Sequence, residues 1–422
     1  MDFTKIENQR VGEHYFRMKH SSGLTVIVYP KKGFHSTYAV IGTRFGSIYS
    51  RFMFNGKEIT VPDGTAHYLE HKLFESEDGD AFTKYAKTGA SANAFTSFTQ
   101  TCYLFSCTSQ FEESLKILLE LVQTPYFTKE TIAKEFGIIS QEIKMYDDNP
   151  DWRVMMNMLC GMYHNHPINK DIAGTVETIS EITPEVLYNC YNSYYNFHNM
   201  VLTVVGNADP EQILKILDSS LRTDSPVETK LLIPDEPYSV VKPYVEQIMP
   251  VSVPTFNLGF KEKCPSDYVS EKEIICTNIL LNAFLGESSD LYRRLMDSKL
   301  INSTFGYEYM EALGCRSVIL SGESREPKAA AKMILDAVRK LHNEGISQGD
   351  FDASKNVYYG KLMAGFDSKH YIAGELIDGE FSGRNMFDIV DIAADVTLDD
   401  VNKCLETKLD ADNVCLSVVK GE

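Results

Sequence analysis

The chain has 422 residues, of which 43% are hydrophobic and 24% charged, and its formal net charge at pH 7 is -18. This length is too great for one ordinary hydrophobic core and predicts two domains of roughly 200 residues each, or a few smaller ones. The composition is that of a folded globular protein and excludes disordered and fibrous classes. The acidic balance disfavours nucleic acid and anionic membranes as partners, because phosphate binding needs clustered Lys and Arg.

The cellular location can also be predicted from the sequence. Residues 1–10 have mixed charge and no apolar stretch, so neither a secretory signal nor a transit peptide is predicted. The chain has no apolar run of about 18 residues that would predict a membrane-spanning helix. Its nine cysteines are scattered without a C-x-x-C pair, which predicts reduced thiols and no thiolate metal site. Together these features predict a cytoplasmic protein.

The first half of the chain contains both strand and helix patterns. Runs rich in β-branched and aromatic residues, broken by Gly and Pro, predict strands, and apolar residues at helical spacing predict helices. The predicted strands lie within 23–30, 36–46, 89–107 and 201–206. The predicted helices lie at 65–75, 111–122 and 128–146. The fold class predicted for this half is therefore α+β.

The second half repeats this order more weakly. Residues 222–254 contain six prolines and no sustained periodicity, which predicts a linker. After it, the pattern predicts further strands and helices in the same succession as before. These lie at 255–260 (strand), 271–296 (helix), 317–341 (strand, then helix) and 351–366 (helix). The predicted domains are 1–225, a linker at 226–250, and a homologous domain at 251–422 that lacks metal-binding residue types.

The strongest chemical signal is the H-x-x-E-H pattern of His67, Glu70 and His71. On a helix, residues four apart lie on one face and one turn apart, so the two imidazoles are spaced to bind one zinc ion. Glu70 is expected to project towards the same side and to reach a metal-bound water without being a ligand. The alternative is that these side chains simply face solvent. The motif alone favours neither interpretation over the other.

A third ligand is predicted on the helix at 128–146, where Glu135 and Glu142 are two turns apart and share one face. A catalytic zinc needs three protein ligands and one open position. We therefore predict Glu142 as the third ligand and Glu135 as the partner of a ligand. The alternative, a solvated acidic face, is the usual outcome for such a pair and is favoured when no upstream motif is present.

The chain resembles the insulinase and pitrilysin-type zinc metallopeptidases, the inverzincins, in His67–His71, in Ser91–Thr96 and in the E-x6-E spacing from Glu135 to Glu142. It is most similar to the short, two-domain bacterial members, strongly over 23–209 and more weakly beyond. The resemblance implies two homologous α/β sandwich domains, each a mostly antiparallel sheet packed with helices. In the family, such a pair forms half of a clam-like chamber.

The resemblance also implies a substrate and a mechanism. Family members admit peptides and unfolded segments, and Asn93, Ala94 and Phe95 match the edge strand to which an extended substrate adds. For Asn93 the alternative is an ordinary strand or turn amide. One Zn²⁺ per chain lowers the pKa of its bound water and polarises the scissile carbonyl. Glu70 takes the proton of the water and passes it to the leaving amine.

One departure from the family pattern lies in residues 291–307. Active members usually carry an Arg and a Tyr there that contact the tetrahedral intermediate or the substrate, but in this chain the Arg position falls near Met296 and the Tyr position near Thr304 or Phe305. Arg293, Arg294 and Tyr307 are nearby, although their spacing fits poorly. We therefore expect a homodimer, or a heterodimer in which a related two-domain subunit lacking H-x-x-E-H donates the missing pair.

Three functions remain open at this point. The chain is predicted to be a zinc endopeptidase, a non-catalytic structural subunit, or a processing-protease subunit that is inactive without its partner. The intact motif favours the endopeptidase, whereas the missing Arg and Tyr favour the heteromeric subunit. Nucleotide and nucleic-acid functions are poorly supported, because the sequence has no Gly-rich phosphate loop before a helix and no basic aromatic patch.

Overall fold

The computed structural model describes residues 3–263 and 268–422 and divides the chain into two compact units, each containing strands and helices. Unit 1 comprises Met1–Ile143, Asp171–Leu232 and Met363–Phe387. Unit 2 comprises Lys144–Lys170, Ile233–Leu362 and Asp388–Glu422. The predicted α+β class is confirmed.

The elements follow in chain order. The strands are β1 (Thr4–Asn8), β2 (Glu13–Lys19), β3 (Thr25–Pro30), β4 (Thr37–Thr43), β5 (Arg51–Phe54), β6 (Lys57–Thr60), β7 (Glu75–Ser76), β8 (Gly79–Asp80), β9 (Ser91–Thr96), β10 (Thr101–Cys107), β11 (Met200–Gly206), β12 (Thr229–Leu231), β13 (Tyr244–Ile248), β14 (Thr255–Lys261), β15 (Gly306–Ala312), β16 (Cys315–Glu323) and β17 (Val414–Lys420). The helices are α1 (Thr65–Leu73), α2 (Ala81–Thr88), α3 (Phe111–Gln123), α4 (Lys129–Asp147), α5 (Pro150–Met162), α6 (Val176–Ile179), α7 (Pro184–Tyr194), α8 (Pro210–Ser220), α9 (Glu271–Leu285), α10 (Asp290–Asp297), α11 (Pro327–Glu344), α12 (Gln348–Gly365), α13 (Lys369–Ser382), α14 (Met386–Asp395) and α15 (Leu398–Leu405).

Unit 1 is built on a sheet with the strand order β1-β2-β3-β11-β4-β10-β9. Its neighbouring strands are antiparallel except β3 and β11, which run parallel with Val26 opposite Leu202. Strands β4 and β11 are buried along their whole length, which explains why their sequences are continuous apolar runs without alternation. Among the described residues, β9 ends the sheet and pairs with β10 alone. Its other backbone edge is therefore open to an added strand.

Unit 2 repeats the same topology. Its sheet has the order β13-β17-β14-β16-β15, which corresponds strand for strand to β3-β11-β4-β10-β9 and begins with the same kind of parallel pair. Helices correspond as well, because α1 packs on β9 and α7 while α9 packs on β15 and α15. The predicted internal repeat of two homologous α/β domains is confirmed by this correspondence.

A helix from the opposite half of the sequence covers each sheet. In unit 2, α5 packs on β14 and β17, and its close approach requires Gly259, where a Cβ would lie 2.5 Å from Met162 Sδ. In unit 1, α13 packs on β4 and β11. Each unit therefore contains segments from both halves of the sequence. The linear ranges 1–225, 226–250 and 251–422 stay a prediction about how the sequence is organised.

Two local expectations differ from the structure. The helix predicted at 271–296 is two helices, α9 and α10, because the backbone turns to an extended conformation at Gly286. The proline-rich residues 226–250 are mostly irregular but contribute β12, which pairs with β5, and β13, which pairs with β17. These strands are short and half-exposed, so they carry no apolar periodicity that would predict them.

The described residues also bear on two composition-based expectations. Within 3–263 and 268–422, no helix combines the length and apolarity needed to cross a membrane. The eight cysteines in these ranges are free thiols. The ninth, Cys264, lies outside the described residues.

Candidate metal centre

Helix α1 carries His67 and His71, and the backbone conformation of the residue before it determines where this helix begins. Gly64 precedes the helix with a φ of 90°, in the left-handed region, and a Cβ there would lie 2.4 Å from the carbonyl oxygen of Ala173. Only glycine therefore fits at this tight entry. Every residue of α1 except His71 is buried. His67 and His71 lie one turn apart, with ring centroids 4.7 Å from each other.

The second component, α4, is fastened to α1 by two side chains. The Tyr68 hydroxyl donates a hydrogen bond of 2.6 Å to the carbonyl oxygen of Ile132. The Lys72 ammonium group, whose side chain is fully buried, donates to the carbonyl oxygen of Thr131 at 3.3 Å and pairs with Glu75. Both carbonyls belong to the first turns of α4. The face of α4 that carries its glutamates is thereby held against the histidines of α1.

The structure brings His67, His71 and Glu142 together. Nε2 of His67 lies 3.6 Å from Oε1 of Glu142, and Nε2 of His71 lies 3.3 Å from Oε2 of the same residue. One ligand atom from each of the three residues lies within 4.8 Å of the other two. Tetrahedral zinc with bonds of about 2.0–2.2 Å places its ligand atoms roughly 3.3–3.6 Å apart. The donor set and its spacing therefore fit a zinc ion.

Glu135 orients one of these imidazoles. Its Oε1 lies 3.0 Å from Nδ1 of His71, so this nitrogen donates and Nε2 is directed to Glu142. Burial lowers the pKa of His71, but the hydrogen bond to Glu135 and the nearby Glu142 carboxylate outweigh burial and raise it to about 9. The imidazoles of His67 and His71, at 3.6 and 3.3 Å, hold the pKa of Glu142 well below its usual range, although burial opposes them. The predicted role of Glu135 as the partner of a ligand has the required geometry.

His67 has a different environment from His71. Its side chain is buried, and its Nδ1 has no hydrogen-bond partner among the described residues. The structure places Oε1 of Glu142 3.6 Å from its other nitrogen, Nε2. Burying this polar ring costs free energy, and a metal bond at Nε2 would offset part of that cost while leaving Nδ1 unsatisfied.

Glu70 lies beside the cluster without belonging to it. The carboxylate is buried, and burial raises the pKa of Glu70, while the nearby His67 and a hydrogen bond from Thr96 act in the opposite direction. The Thr96 hydroxyl donates to Oε2 of Glu70 at 2.6 Å. A carboxylate with a raised pKa next to a metal-binding cluster has the properties of a general base.

The residues expected to bind substrate lie on the open edge strand β9. Asn93 and Phe95 are exposed, and Ala94 is half-buried. The Ala94 N–H donates to the side-chain oxygen of Asn93 at 2.9 Å. The strand therefore presents side chains and backbone groups at a sheet edge, in the geometry that β-augmentation requires.

Sequence reasoning missed three residues that shape this centre, namely Tyr68, Lys72 and Thr96. Tyr68 lies inside the motif and Lys72 directly after it, and neither residue type indicates by itself that it fastens one helix to another. Thr96 could have been found from strand parity, since it shares a face of β9 with Ala92 and Ala94 and alternates with the exposed residues. That face packs towards α1.

The residues near the missing Arg and Tyr positions are engaged locally in unit 2. On α10, Arg293 and Arg294 are exposed and pair with Asp290 at 3.6 and 3.2 Å. On β15, the Tyr307 hydroxyl accepts a hydrogen bond of 2.8 Å from the Asn282 amide of α9. Tyr307 thus lies on the strand of unit 2 that corresponds to β9.

Comparison with known proteins identifies the class to which this centre belongs. A family model described as Insulinase (Peptidase family M16) matches residues 57–176, and one described as Peptidase M16 inactive domain matches residues 181–358. The first range contains His67, His71 and Glu142, the three residues that could hold a metal ion. The second range covers most of the rest of the chain, which lacks the three candidate ligands.

Individual relatives agree with this classification. The "Uncharacterized zinc protease YmfH" of Bacillus subtilis is 41% identical over 426 residues, which cover 99% of both chains. A crystal structure from Alicyclobacillus acidocaldarius, described as an M16-like peptidase, has a TM-score of 0.93 at 30% identity and covers 100% of this chain and 99% of that one. The chain therefore belongs to peptidase family M16, the insulinase family, and the predicted resemblance is confirmed.

A more distant relative is named as one subunit of a peptidase. The "Probable mitochondrial-processing peptidase subunit beta" of Arabidopsis thaliana is 27% identical over 194 residues, which cover 44% of this chain and 36% of that protein. The match extends over less than half of either chain.

Proposed function

We propose that the chain is a zinc-dependent endopeptidase that hydrolyses peptides or unfolded polypeptide segments. One Zn²⁺ would be held by His67, His71 and Glu142, and Glu70 would be the general base. The observation that carries this proposal is the convergence of the three ligand atoms within 4.8 Å of one another. The orientation of His71 by Glu135 at 3.0 Å supports it.

The donor set favours zinc over harder or softer metals. Two imidazole nitrogens and one carboxylate are typical ligands of catalytic zinc, whereas magnesium and calcium prefer oxygen ligands. Three protein ligands leave a fourth position open, which catalysis requires. When bound, zinc would polarise the scissile carbonyl and lower the pKa of the attacking water.

Glu70 would move the proton. Burial raises the pKa of its carboxyl group and brings it closer to neutral pH, where a general base is most efficient. Glu70 would accept a proton from the attacking water and deliver it to the nitrogen of the leaving amine. A carboxylate can perform both steps without coordinating the metal, in agreement with its position outside the three-residue cluster.

Strand β9 would bind the substrate as an added strand. An extended peptide pairs with an open sheet edge through backbone hydrogen bonds and therefore needs no defined sequence. The exposed Asn93 and Phe95 would contact substrate side chains, and the Ala94 N–H would exchange its bond to the Asn93 side chain for one to the peptide. Only a segment without secondary structure of its own can bind in this way.

The test is cleavage of a mixed peptide library by the purified, zinc-loaded full chain, with Glu70→Gln as the inactive variant and Glu181→Gln, an exposed glutamate, as the matched control. We expect cleavage by the wild type and by Glu181→Gln and a loss of about 10²- to 10⁴-fold in Glu70→Gln, because general-base catalysis contributes that much. Cleavage that persists in Glu70→Gln would refute the assignment of the base.

A second candidate is a processing-protease subunit that is inactive alone and needs a related two-domain partner lacking H-x-x-E-H. Two observations favour it. The Tyr307 hydroxyl accepts a hydrogen bond from Asn282, and Arg293 pairs with Asp290, so the groups nearest the missing positions have partners within unit 2. A homodimer is the alternative assembly. No cleavage by a chain that binds one zinc would favour this candidate. The cytoplasmic location stays a prediction.

A further inference from the structure

Thr96 connects two parts of the proposed active site. It is the last residue of the edge strand β9, and its hydroxyl donates to Oε2 of Glu70 at 2.6 Å. This bond is at the short end of the range for hydroxyl donors, as expected when the acceptor is a carboxylate. A single hydroxyl therefore joins the strand proposed to bind substrate to the residue proposed to move the proton.

A neighbouring hydroxyl, that of Thr101, supports the direction of this hydrogen bond, from Thr96 to Glu70. The Thr101 hydroxyl donates to the carbonyl oxygen of Phe45 at 2.8 Å, and its oxygen lies 3.3 Å from the oxygen of Thr96. A threonine hydroxyl has one proton and two lone pairs. The proton of Thr101 is used by the Phe45 carbonyl, so the Thr96 proton is the one available to Glu70. Thr101 thus supports Thr96 as a donor to the carboxylate.

We infer that Thr96 is a positioning residue that fixes the rotation of the Glu70 carboxylate and occupies Oε2, so that Oε1 is the oxygen that exchanges the proton. This inference rests on the proposed function and deepens it. With Oε2 held by a hydroxyl donor, a proton taken up by Glu70 is placed on the oxygen that faces away from Thr96. The carboxylate then accepts and returns the proton through one defined atom.

Because Thr96 lies at the end of β9, binding of a peptide to this strand should also affect Glu70. Ala94 and Thr96 share one face of the strand, and a peptide that pairs with β9 would hold the backbone that carries Thr96. Substrate pairing would therefore stiffen the support of Glu70. Loss of the hydroxyl should act on turnover and leave the binding of the peptide to the strand nearly unchanged.

The test compares three variants in the zinc-loaded full chain. Thr96→Val removes the hydroxyl and keeps the shape, and Thr96→Ser keeps the hydroxyl. Thr203→Val is the matched control, because Thr203 is also a buried strand threonine and its hydroxyl has no hydrogen-bond partner among the described residues. We expect Thr96→Val to lower kcat by about 10- to 100-fold, the value of one hydrogen bond to a charged group, with KM and zinc content unchanged. Thr96→Ser should restore kcat to within about 3-fold of the wild type, and Thr203→Val should equal it.

The failures are distinguishable. If the wild type shows no cleavage that depends on Glu70, the proposed function fails. If it does cleave but Thr96→Val keeps its kcat, or Thr96→Ser is as impaired as Thr96→Val, the inference about Thr96 is overturned. A crystal structure of zinc-loaded Thr96→Val decides the matter even for an inactive chain. We expect the Glu70 carboxylate to rotate away from its wild-type position, and an unchanged carboxylate would contradict the inference.

Discussion

Helices α1 and α9 occupy corresponding places in two sheets of the same strand order but carry different chemistry. Helix α1 packs on β9 and α7 and brings His67, Glu70 and His71 to one face, whereas α9 packs on β15 and α15 and presents the Asn282 amide to Tyr307. The same scaffold therefore occurs twice, and a few side chains distinguish the copy that carries the candidate metal centre from the copy that does not.

The two helices also differ in what their burial costs. The Asn282 amide is half-buried and has the Tyr307 hydroxyl as a partner, whereas His67 and Glu70 are buried, and buried ionisable groups need partners that offset the loss of water. In unit 1 these partners come from α4 and β9, as the Glu135 carboxylate at His71 and the neutral Thr96 hydroxyl at Glu70. The proposed metal centre therefore depends on three elements, α1, α4 and β9.

The largest effect is expected when a proposed ligand is removed. His71→Ala deletes one of three ligands, so we expect the bound zinc to fall from about one per chain to nearly none, together with complete loss of peptide cleavage. Elemental analysis of the purified protein measures the zinc, and His35→Ala, at an exposed position, is the control. Retention of one zinc by His71→Ala would remove this residue from the site.

A smaller effect is expected when the support of a ligand is removed. Glu135→Ala deletes the acceptor of the His71 Nδ1–H bond, and the loss of such a partner typically weakens metal binding by about 10- to 100-fold. Titration against a chelator of known affinity measures the change. An unchanged zinc affinity would show that packing of α1 is sufficient to orient His71.

The smallest effect comes from making the same substitution in both units. Tyr68→Phe removes the bond that fastens α4 to α1 and should lower the free energy of unfolding by about 1–1.5 kcal/mol. Tyr307→Phe removes the half-buried bond to Asn282 and should cost less, under about 1 kcal/mol. Chemical denaturation measures both. Only Tyr68→Phe should also weaken zinc binding, and equal effects of the two substitutions on zinc would contradict the comparison.

Much of the fold and of the candidate metal centre could be predicted from the sequence. Periodicity located α1, α4 and the central strands, since these elements bury one face or run through the core. The i, i+4 spacing of His67 and His71 and the seven-residue spacing of Glu135 and Glu142 predicted which side chains share a face, and the structure places them together. Each of these features depends on local geometry alone.

The remainder depends on contacts between distant segments. The packing of α5 on the sheet of unit 2 and of α13 on the sheet of unit 1 leaves no local signal, because an apolar helix face does not specify the sheet that it covers. The bond from Thr96 to Glu70 spans 26 residues and requires the pairing of β9 to be known. Short half-exposed strands such as β12 carry too few buried positions to show a period.

The most direct test of the central claim is a crystal structure of the zinc-loaded full chain with anomalous diffraction measured at the zinc edge. The account predicts one strong peak in unit 1, about 2.0–2.2 Å from Nε2 of His67, Nε2 of His71 and a carboxylate oxygen of Glu142. A zinc ion bound elsewhere, or no peak between these three residues at saturating zinc, would contradict it.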